Sequence, residues 1–386
     1  MRKNFWIIPI VLTLTISLGG CTKQTPSTTS TPATTTQTVT TTLPQNSMPG
    51  SVSGIEATLE SIYNQNNPSV VNIQVVLPIS ASNPGGGALG SGFVWDKQGD
   101  IVTNNHVIDG ATRITVTFYD GTIIDASLVG ADSDSDLAVI KVNPSGLQLQ
   151  PVTLADSILV KVGQLSVAIG NPFGLQGTMT VGFVSGLGRV LPATTNAAGL
   201  TYSIPDMIQT DAPINPGNSG GVLLDATGAV MGVTQSIDTT SGSSSGVGFA
   251  IPSAILKQVI PDLISTGKYV HPYLGISVIS LEPDLNAAMN LPANQRGALV
   301  QTVTANSPAD KAGLKASQTS TTVNGQPVNV GGDVITAYNG QIVKNSDDLI
   351  TFLARSGVVG QTMTLTVLRS GQSIQVQVMI GARPTS

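Results

Sequence analysis

His106 in "DIVTNNHVIDG", Asp136 in "ADSDSDLAVIKV" and Ser219 in "PGNSGG" are the residue types that nucleophilic acyl chemistry requires, set far apart along the chain. A serine hydroxyl is a poor nucleophile near neutral pH. It needs a base to take its proton and a third group to hold that base in the right tautomer. Each residue also has a plainer reading. Glycine-rich turns are common because glycine tolerates positive φ, so Ser219 among Gly217, Gly220 and Gly221 could be incidental. His106, at the end of an apolar strand, could be structural. The second histidine, His271 in "KYVHPYLG", has no polar companions in sequence and reads as a surface or linker residue. Of the acids Asp132, Asp134 and Asp136, only Asp136 directly abuts the strand Leu137–Val142; the other two read as solvated loop acids. A carboxylate at a strand margin can be buried enough to orient an imidazole, and the order His, Asp, Ser is one of several on which this geometry recurs.

Short β segments and turns surround these residues. Charged residues are 10% of the chain, against roughly 25% in soluble proteins, and Gly, Thr, Ser and Gln take their place. "GFVWDKQGDIVTNN" reads as a hairpin over Asp96–Gly99, and Asp120-Gly121 as a two-residue type I′ turn. "GVLLDATGAVMGVTQSI" is a third hairpin. Closely spaced hairpins with almost no helix between them indicate an antiparallel barrel or sandwich. A short amphipathic segment (Ile55, Leu59, Ile62, Tyr63) precedes them. A helix over 252–266 follows, with Pro261 as a possible kink and Gly267 as its stop. From Tyr273 a smaller unit begins, with hairpins on Asn339-Gly340 and Ser370-Gly371 and a helix capped by Asn345. Residues 315–331 read as an uncommitted polar loop.

With 386 residues, the chain can hold two or three domains, each with its own core. Arg2 and Lys3 precede the apolar run Phe5–Leu18, the layout of a secretory signal. "LGGC" resembles a bacterial lipoprotein signal, in which Cys21 would be acylated and anchor the protein to a membrane. The run is short for a spanning helix. Cys21 is the single cysteine, so no disulfide forms within the chain. Residues 22–53 are almost all Thr, Ser, Pro, Gln and Gly, too polar to fold, and read as a tether. Two histidines and one cysteine do not build a usual zinc site. There is no phosphate-binding glycine loop of the G-x-x-x-x-G-K-[ST] type, and no metal or other cofactor is expected. Net charge is −5 with no basic cluster beyond the N-terminus, which leaves nucleic acid without an electrostatic footprint.

Taken together, "PSVVNI", "GSGFVWDKQGDIVTNNHVI", "ADSDSDLAVIKV", "VAIGNPFG", "IQTDAPINPGNSGGVLLDATGAVMGV" and "VGFAIPS" resemble the HtrA/Deg serine proteases across residues 68–253. "YLGI" through "VLRSGQ" is similar to that family's PDZ domain over most of 273–380. The resemblance implies a mainly β fold: a chymotrypsin/trypsin-like double antiparallel β-barrel followed by a small α+β PDZ domain. It divides the chain into a lipoprotein signal peptide (1–20), tether (21–53), protease domain (54–255), helical linker (256–272) and PDZ domain (273–382). It makes Ser219 the nucleophile, His106 the base and Asp136 its orienter. Gly217 and Ser219, with Asn218, would supply the oxyanion amides. Pro213 stands where trypsins carry their pocket-floor acid, so cleavage after small or medium aliphatic residues is expected, with 246–251 in the pocket wall. Tyr273, Leu274, Gly275 and Ile276 would form the PDZ carboxylate-binding loop. The longer 315–331 segment is closer to plant-plastid members.

The implied function is ATP-independent proteolysis of unfolded or damaged proteins outside the cytoplasm, facing the periplasm or cell exterior. Hydrophobic C-terminal peptides would bind the PDZ domain, and the free enzyme could rest with inactive loops. A homotrimer or higher oligomer is implied, to which Ile55, Leu59 and Tyr63 could contribute unless they pack on their own barrel. The alternative is a proteolytically inactive peptide-binding chaperone or scaffold, although such relatives usually lose a triad residue and all three are present here.

Overall fold

Twelve strands close into two barrels in a computed structural model that describes residues 52–79, 86–171, 177–192, 203–235 and 246–384. The signal segment, Cys21 and nearly all of the tether lie outside the described residues. Helix α1 (Val52–Asn66) leads into the first barrel: β1 (Val70–Val76), β2 (Gly87–Val94), β3 (Asp100–Thr103), β4 (Arg113–Thr117), β5 (Ile123–Asp132) and β6 (Leu137–Lys141), in the order β1-β2-β3-β6-β5-β4. Between β3 and β4 lies the one-turn helix α2 (Asn105–Ile108). The second barrel comprises β7 (Leu165–Gly170), β8 (Thr178–Pro192), β9 (Ser203–Thr210), β10 (Val222–Leu224), β11 (Val230–Gln235) and β12 (Gly248–Pro252), ordered β10-β11-β12-β9-β8-β7.

Strand alternation explains how the barrels join. Successive side chains of a strand point to opposite faces. In β6, Ala138 and Ile140 pack with Val71, Ile73 and Val94 of their own barrel, whereas Leu137 and Val139 join a second cluster. That cluster also holds Val167, Ile169, Val222, Val233 and Ile251 of the other barrel. Burial on both faces gives the near-continuous apolar run "LAVI". Helix α3 (Ser253–Thr266) seals the same cluster with Ile255, Leu256, Val259, Ile260 and Leu263, and so belongs to the barrel core as well as connecting onward. Pro261 does not split it. Both Pro261 and Lys257, whose carbonyl loses its donor, lie on the exposed face. Gly267 ends the helix at φ 80° with its amide on Leu263. In α1, Ile62 is buried and Leu59 and Tyr63 pack on the shared core, while Ile55 faces outward.

The C-terminal unit runs β13 (Pro272–Tyr273), β14 (Ile276–Ser280), α4 (Pro283–Ala288), β15 (Ala298–Val303), α5 (Pro308–Lys311), β16 (Thr319–Val323), β17 (Gln326–Val330), β18 (Val334–Tyr338), β19 (Gln341–Ile342), α6 (Ser346–Ser356), β20 (Thr362–Arg369), β21 (Gln372–Met379) and β22 (Gly381–Ala382). Its main sheet is ordered β14-β15-β18-β20-β21, which leaves β14 as an edge. Strands β13 and β22 pair with each other, so the chain comes in and goes out of this unit side by side.

Two turn expectations change. The Asp120-Gly121 hairpin is real, but its loop is three residues, closed by the Phe118 amide on Thr122 (2.9 Å), and only Gly121 is left-handed (φ 85°). Asp120 instead accepts the Thr122 amide, so the turn is not type I′. Residues 315–331 are not an irregular loop: β16 and β17 form a hairpin on Asn324-Gly325, both at positive φ (51° and 75°).

Candidate active site

Asp136 is held through its carboxylate by both the ring and the backbone of His106. It sits at φ 53° in the turn between β5 and β6 and is almost fully buried. Its Oδ2 is 2.7 Å from His106 Nδ1, and its Oδ1 accepts the His106 backbone amide at 2.9 Å. Its main-chain carbonyl accepts the Asn105 amide (3.1 Å) and the Asn104 side-chain amide (2.9 Å). The stretch "TNNH" is thereby explained. Strand β3 ends, α2 begins, and three consecutive residues fasten themselves to Asp136. With its Nδ1 toward Asp136, His106 has its tautomer and ring plane set, and about half of its side chain is exposed.

Ser219 lies in the turn that opens β10, buried among Gly217, Asn218, Gly220 and Gly221. The turn is docked on the first barrel through Ser91 of β2, which is fully buried. The Ser91 amide donates to the Ser219 carbonyl (2.8 Å), its hydroxyl donates to the Gly217 carbonyl (2.6 Å) and accepts the Asn171 amide (2.8 Å), and its carbonyl accepts the Thr103 hydroxyl (2.7 Å). Thr103 stands three positions before His106 in sequence. The approach is close: a Cβ on Gly220 would lie 2.0 Å from the Ser91 carbonyl oxygen and 2.5 Å from Thr103 Oγ1. Gly217 and Gly220 have φ of 94° and 85°, a backbone region that glycine adopts without strain. The Asn218 amide donates to Asn215 (2.9 Å) and is committed within the turn.

The end of β11 joins the two halves. Thr234 donates its hydroxyl to the Asn218 carbonyl (2.6 Å) and accepts the Gly220 amide on its own carbonyl (3.0 Å). The next residue, Gln235, donates its side-chain amide to Asp136 Oδ2 (3.1 Å). Consecutive residues thus brace the serine turn and the carboxylate. Neither was singled out from sequence, and nor was Ser91; their only signal was membership of the stretches "GSGF" and "VMGVTQ".

Pro213 lies on the loop ahead of Ser219, its carbonyl accepting the Thr180 hydroxyl (2.9 Å). The neighbouring Ile214 side chain packs where a Gly248 side chain would otherwise lie, which brings the 246–251 segment against that loop. In the C-terminal unit Leu274 is buried, with its carbonyl accepting the Ala309 amide. Gly275 has φ 79°, and a Cβ there would lie 2.2 Å from that of Ser307. The glycine is thus required by the close approach of α5's capping residue. Ile276 opens the edge strand β14.

Three expectations about charged residues are corrected. Asp132 and Asp134 are not solvated loop acids, and His271 is not a lone linker histidine. His271 Nε2 is 2.9 Å from both Asp132 oxygens, Asp132 is buried, and Asp134 is paired with Arg383. Sequence separation hid these partners. A further pair joins Arg355 of α6 to the buried Asp206 of β9. Burial pushes the Asp206 carboxyl above its ordinary range, against the pull of the Arg355 guanidinium.

A double barrel with a paired imidazole and carboxylate beside a glycine-framed serine, followed by an open-edged small sheet, defines a serine-peptidase architecture with an appended peptide-binding module. Residues 90–233 match the family model of the trypsin-like peptidase domain, and residues 272–380 match that of the PDZ domain. Protease Do-like 1, chloroplastic, of Arabidopsis thaliana is 40% identical over 344 residues, covering 88% of this chain and 75% of that protein. A probable periplasmic serine endoprotease DegP-like of Brucella suis biovar 1 is 40% identical over 297 residues, 77% of this chain and 53% of that relative. The chain spans about half the length of such bacterial relatives. A solved structure of the HtrA-type protease AlgW with tripeptide superposes with a TM-score of 0.66 at 34% identity, covering 85% of this chain and 98% of that one. The chain belongs to the HtrA/DegP family of serine endoproteases.

Proposed function

We propose that this chain is an ATP-independent serine endopeptidase acting on unfolded or damaged proteins outside the cytoplasm, with Ser219 as nucleophile, His106 as base and Asp136 as its orienter. The observation that carries the reading is the double hold of Asp136 on His106, at ring and backbone. Asp136 fixes the imidazole so that its other nitrogen takes the Ser219 proton as the hydroxyl attacks the scissile carbonyl. The same nitrogen then returns the proton to the leaving amine, and the acyl-enzyme is hydrolysed by water activated in the same way. With the Asn218 amide committed to Asn215, the oxyanion donors are the amides of Gly217 and Ser219. Pro213 stands at the position of the trypsins' pocket-floor acid, which favours aliphatic residues before the cleaved bond.

The edge strand β14, beside the loop Tyr273–Ile276, suits addition of a hydrophobic C-terminal peptide as a further strand. The periplasmic relatives and the signal-like N-terminus support export, with Cys21 as a lipid anchor. The outward-facing Ile55 is available to a homo-oligomeric contact. Ser219→Ala tests the central assignment. Cleavage of an unfolded protein should fall by up to about 10⁶ and fluorophosphonate labelling should vanish. Persistent cleavage would sink the triad.

A further inference from the structure

The run Asp132, Asp134, Asp136 is divided between two tasks. Asp136 faces His106, while Asp132 and Asp134 face the C-terminal unit, through His271 and Arg383 respectively. His271 and Arg383 face each other at one end of the β13–β22 ribbon, where the Arg383 amide donates to the His271 carbonyl at 2.9 Å. Tyr269 packs edge-on to His271, with ring centroids 4.8 Å apart, and sets the imidazole's orientation. We propose that His271 and Arg383 are positioning residues of the protease: through Asp132 and Asp134 they hold the turn from which Asp136 orients His106. This rests on the triad assignment above.

The turn's own wiring supports the link. Asp132 Oδ2 accepts the Ser135 amide at 3.1 Å and the Ser135 hydroxyl, so the carboxylate that meets His271 also caps the turn from inside. The Asp136 amide reaches back to Ser133 at 3.3 Å. Asp136 sits at positive φ, a conformation that aspartate reaches at modest cost and in which its partners hold it. Asn104 and Asn105 hold it from the α2 side. On the other side, the turn's acids are gripped by the C-terminal unit. The side chains of Asp132 and His271 are 8% and 20% exposed and those of Asp134 and Arg383 16% and 34%, so salt screens the first contact less than the second, and both less than fully exposed pairs. An attachment serving only to tether the unit could sit anywhere on the barrels. This one takes two of the five residues that end in Asp136.

The test uses the full folded chain and a short chromogenic peptide ester as substrate. Arg383→Gln and Asp134→Asn should each lower kcat roughly tenfold, since small displacements of a catalytic group are costly, with KM unchanged. The charge exchange Asp134→Arg with Arg383→Asp should restore most of kcat. In an Asp136→Asn background Arg383→Gln should add no further loss, because the two act on one element. Thermal unfolding of each variant, with Arg383→Lys as the conservative comparison, establishes that the fold is kept. Unchanged kcat, raised kcat, or losses additive with Asp136→Asn would each overturn the proposal. If Asp136→Asn itself kept wild-type kcat, the triad assignment would fail instead.

Discussion

The serine turn and the aspartate turn are held in place by opposite means. Residues 217–221 are fixed by exclusion: glycines let backbone press on backbone, and two hydroxyl side chains, Ser91 and Thr234, pin the carbonyls that remain. Residues 132–136 are fixed by attraction, through carboxylates that meet an imidazole, a guanidinium and an amide from distant parts of the chain. The first strategy is local and steric. The second is long-range and electrostatic, and it makes one barrel depend on another domain.

The steric side should break hardest. Gly220→Ala places a methyl against the Ser91 carbonyl at a positive φ. A shift of about 1 Å at a catalytic group can cost 10²-fold, so kcat/KM should fall at least that far in peptide hydrolysis, with a lowered melting temperature. Ser91→Ala is milder. It keeps the backbone bond to Ser219 but strips partners from the Gly217 carbonyl and Asn171 amide, each a buried group whose orphaning costs about 1–3 kcal/mol. Denaturant unfolding should show that loss, and kcat should fall roughly tenfold. Wild-type behaviour in both variants would remove the distinction between the two turns.

The smallest effect lies on the electrostatic side. Asp206 has a raised carboxyl pKa, so the folded state holds its proton more tightly than the unfolded chain does. Its contribution to stability is therefore greatest below the ordinary carboxylate range and declines as pH rises through the raised value. Asp206→Asn, which also tolerates the φ of 64°, should lack that decline. Comparing denaturation of the two proteins across mildly acidic pH reads the difference directly. A difference that grew with pH would reverse the sign assigned to burial.

The same contrast governs what the sequence discloses. The glycines around Ser219 and the strand end before His106 are legible because steric needs are written beside the residue they serve. Asp136 is legible for its place against β6. Asp132 and Asp134 look solvated in sequence because their partners lie beyond residue 270, and nothing near His271 advertises a carboxylate. The β16–β17 hairpin is hidden for another reason. Its Asn324-Gly325 signal was present, but the flanking Thr, Ser, Gln and Asn residues carry little of the apolar alternation that marks a strand. Gln235 and Ser91 are marked only by the stretches they sit in, since their roles appear once two barrels meet.

The β13–β22 ribbon has a mechanical consequence. It does not hold the C-terminal domain alone: α6 packs along β8 and β9, with Arg355 on Asp206, and Gly357 at the end of α6 lies against Pro272 of β13. Ribbon and helix therefore share one seam. A rotation of the domain loads the Asp206 contact and the grip on Asp132 and Asp134 at the same time, so the two yield together.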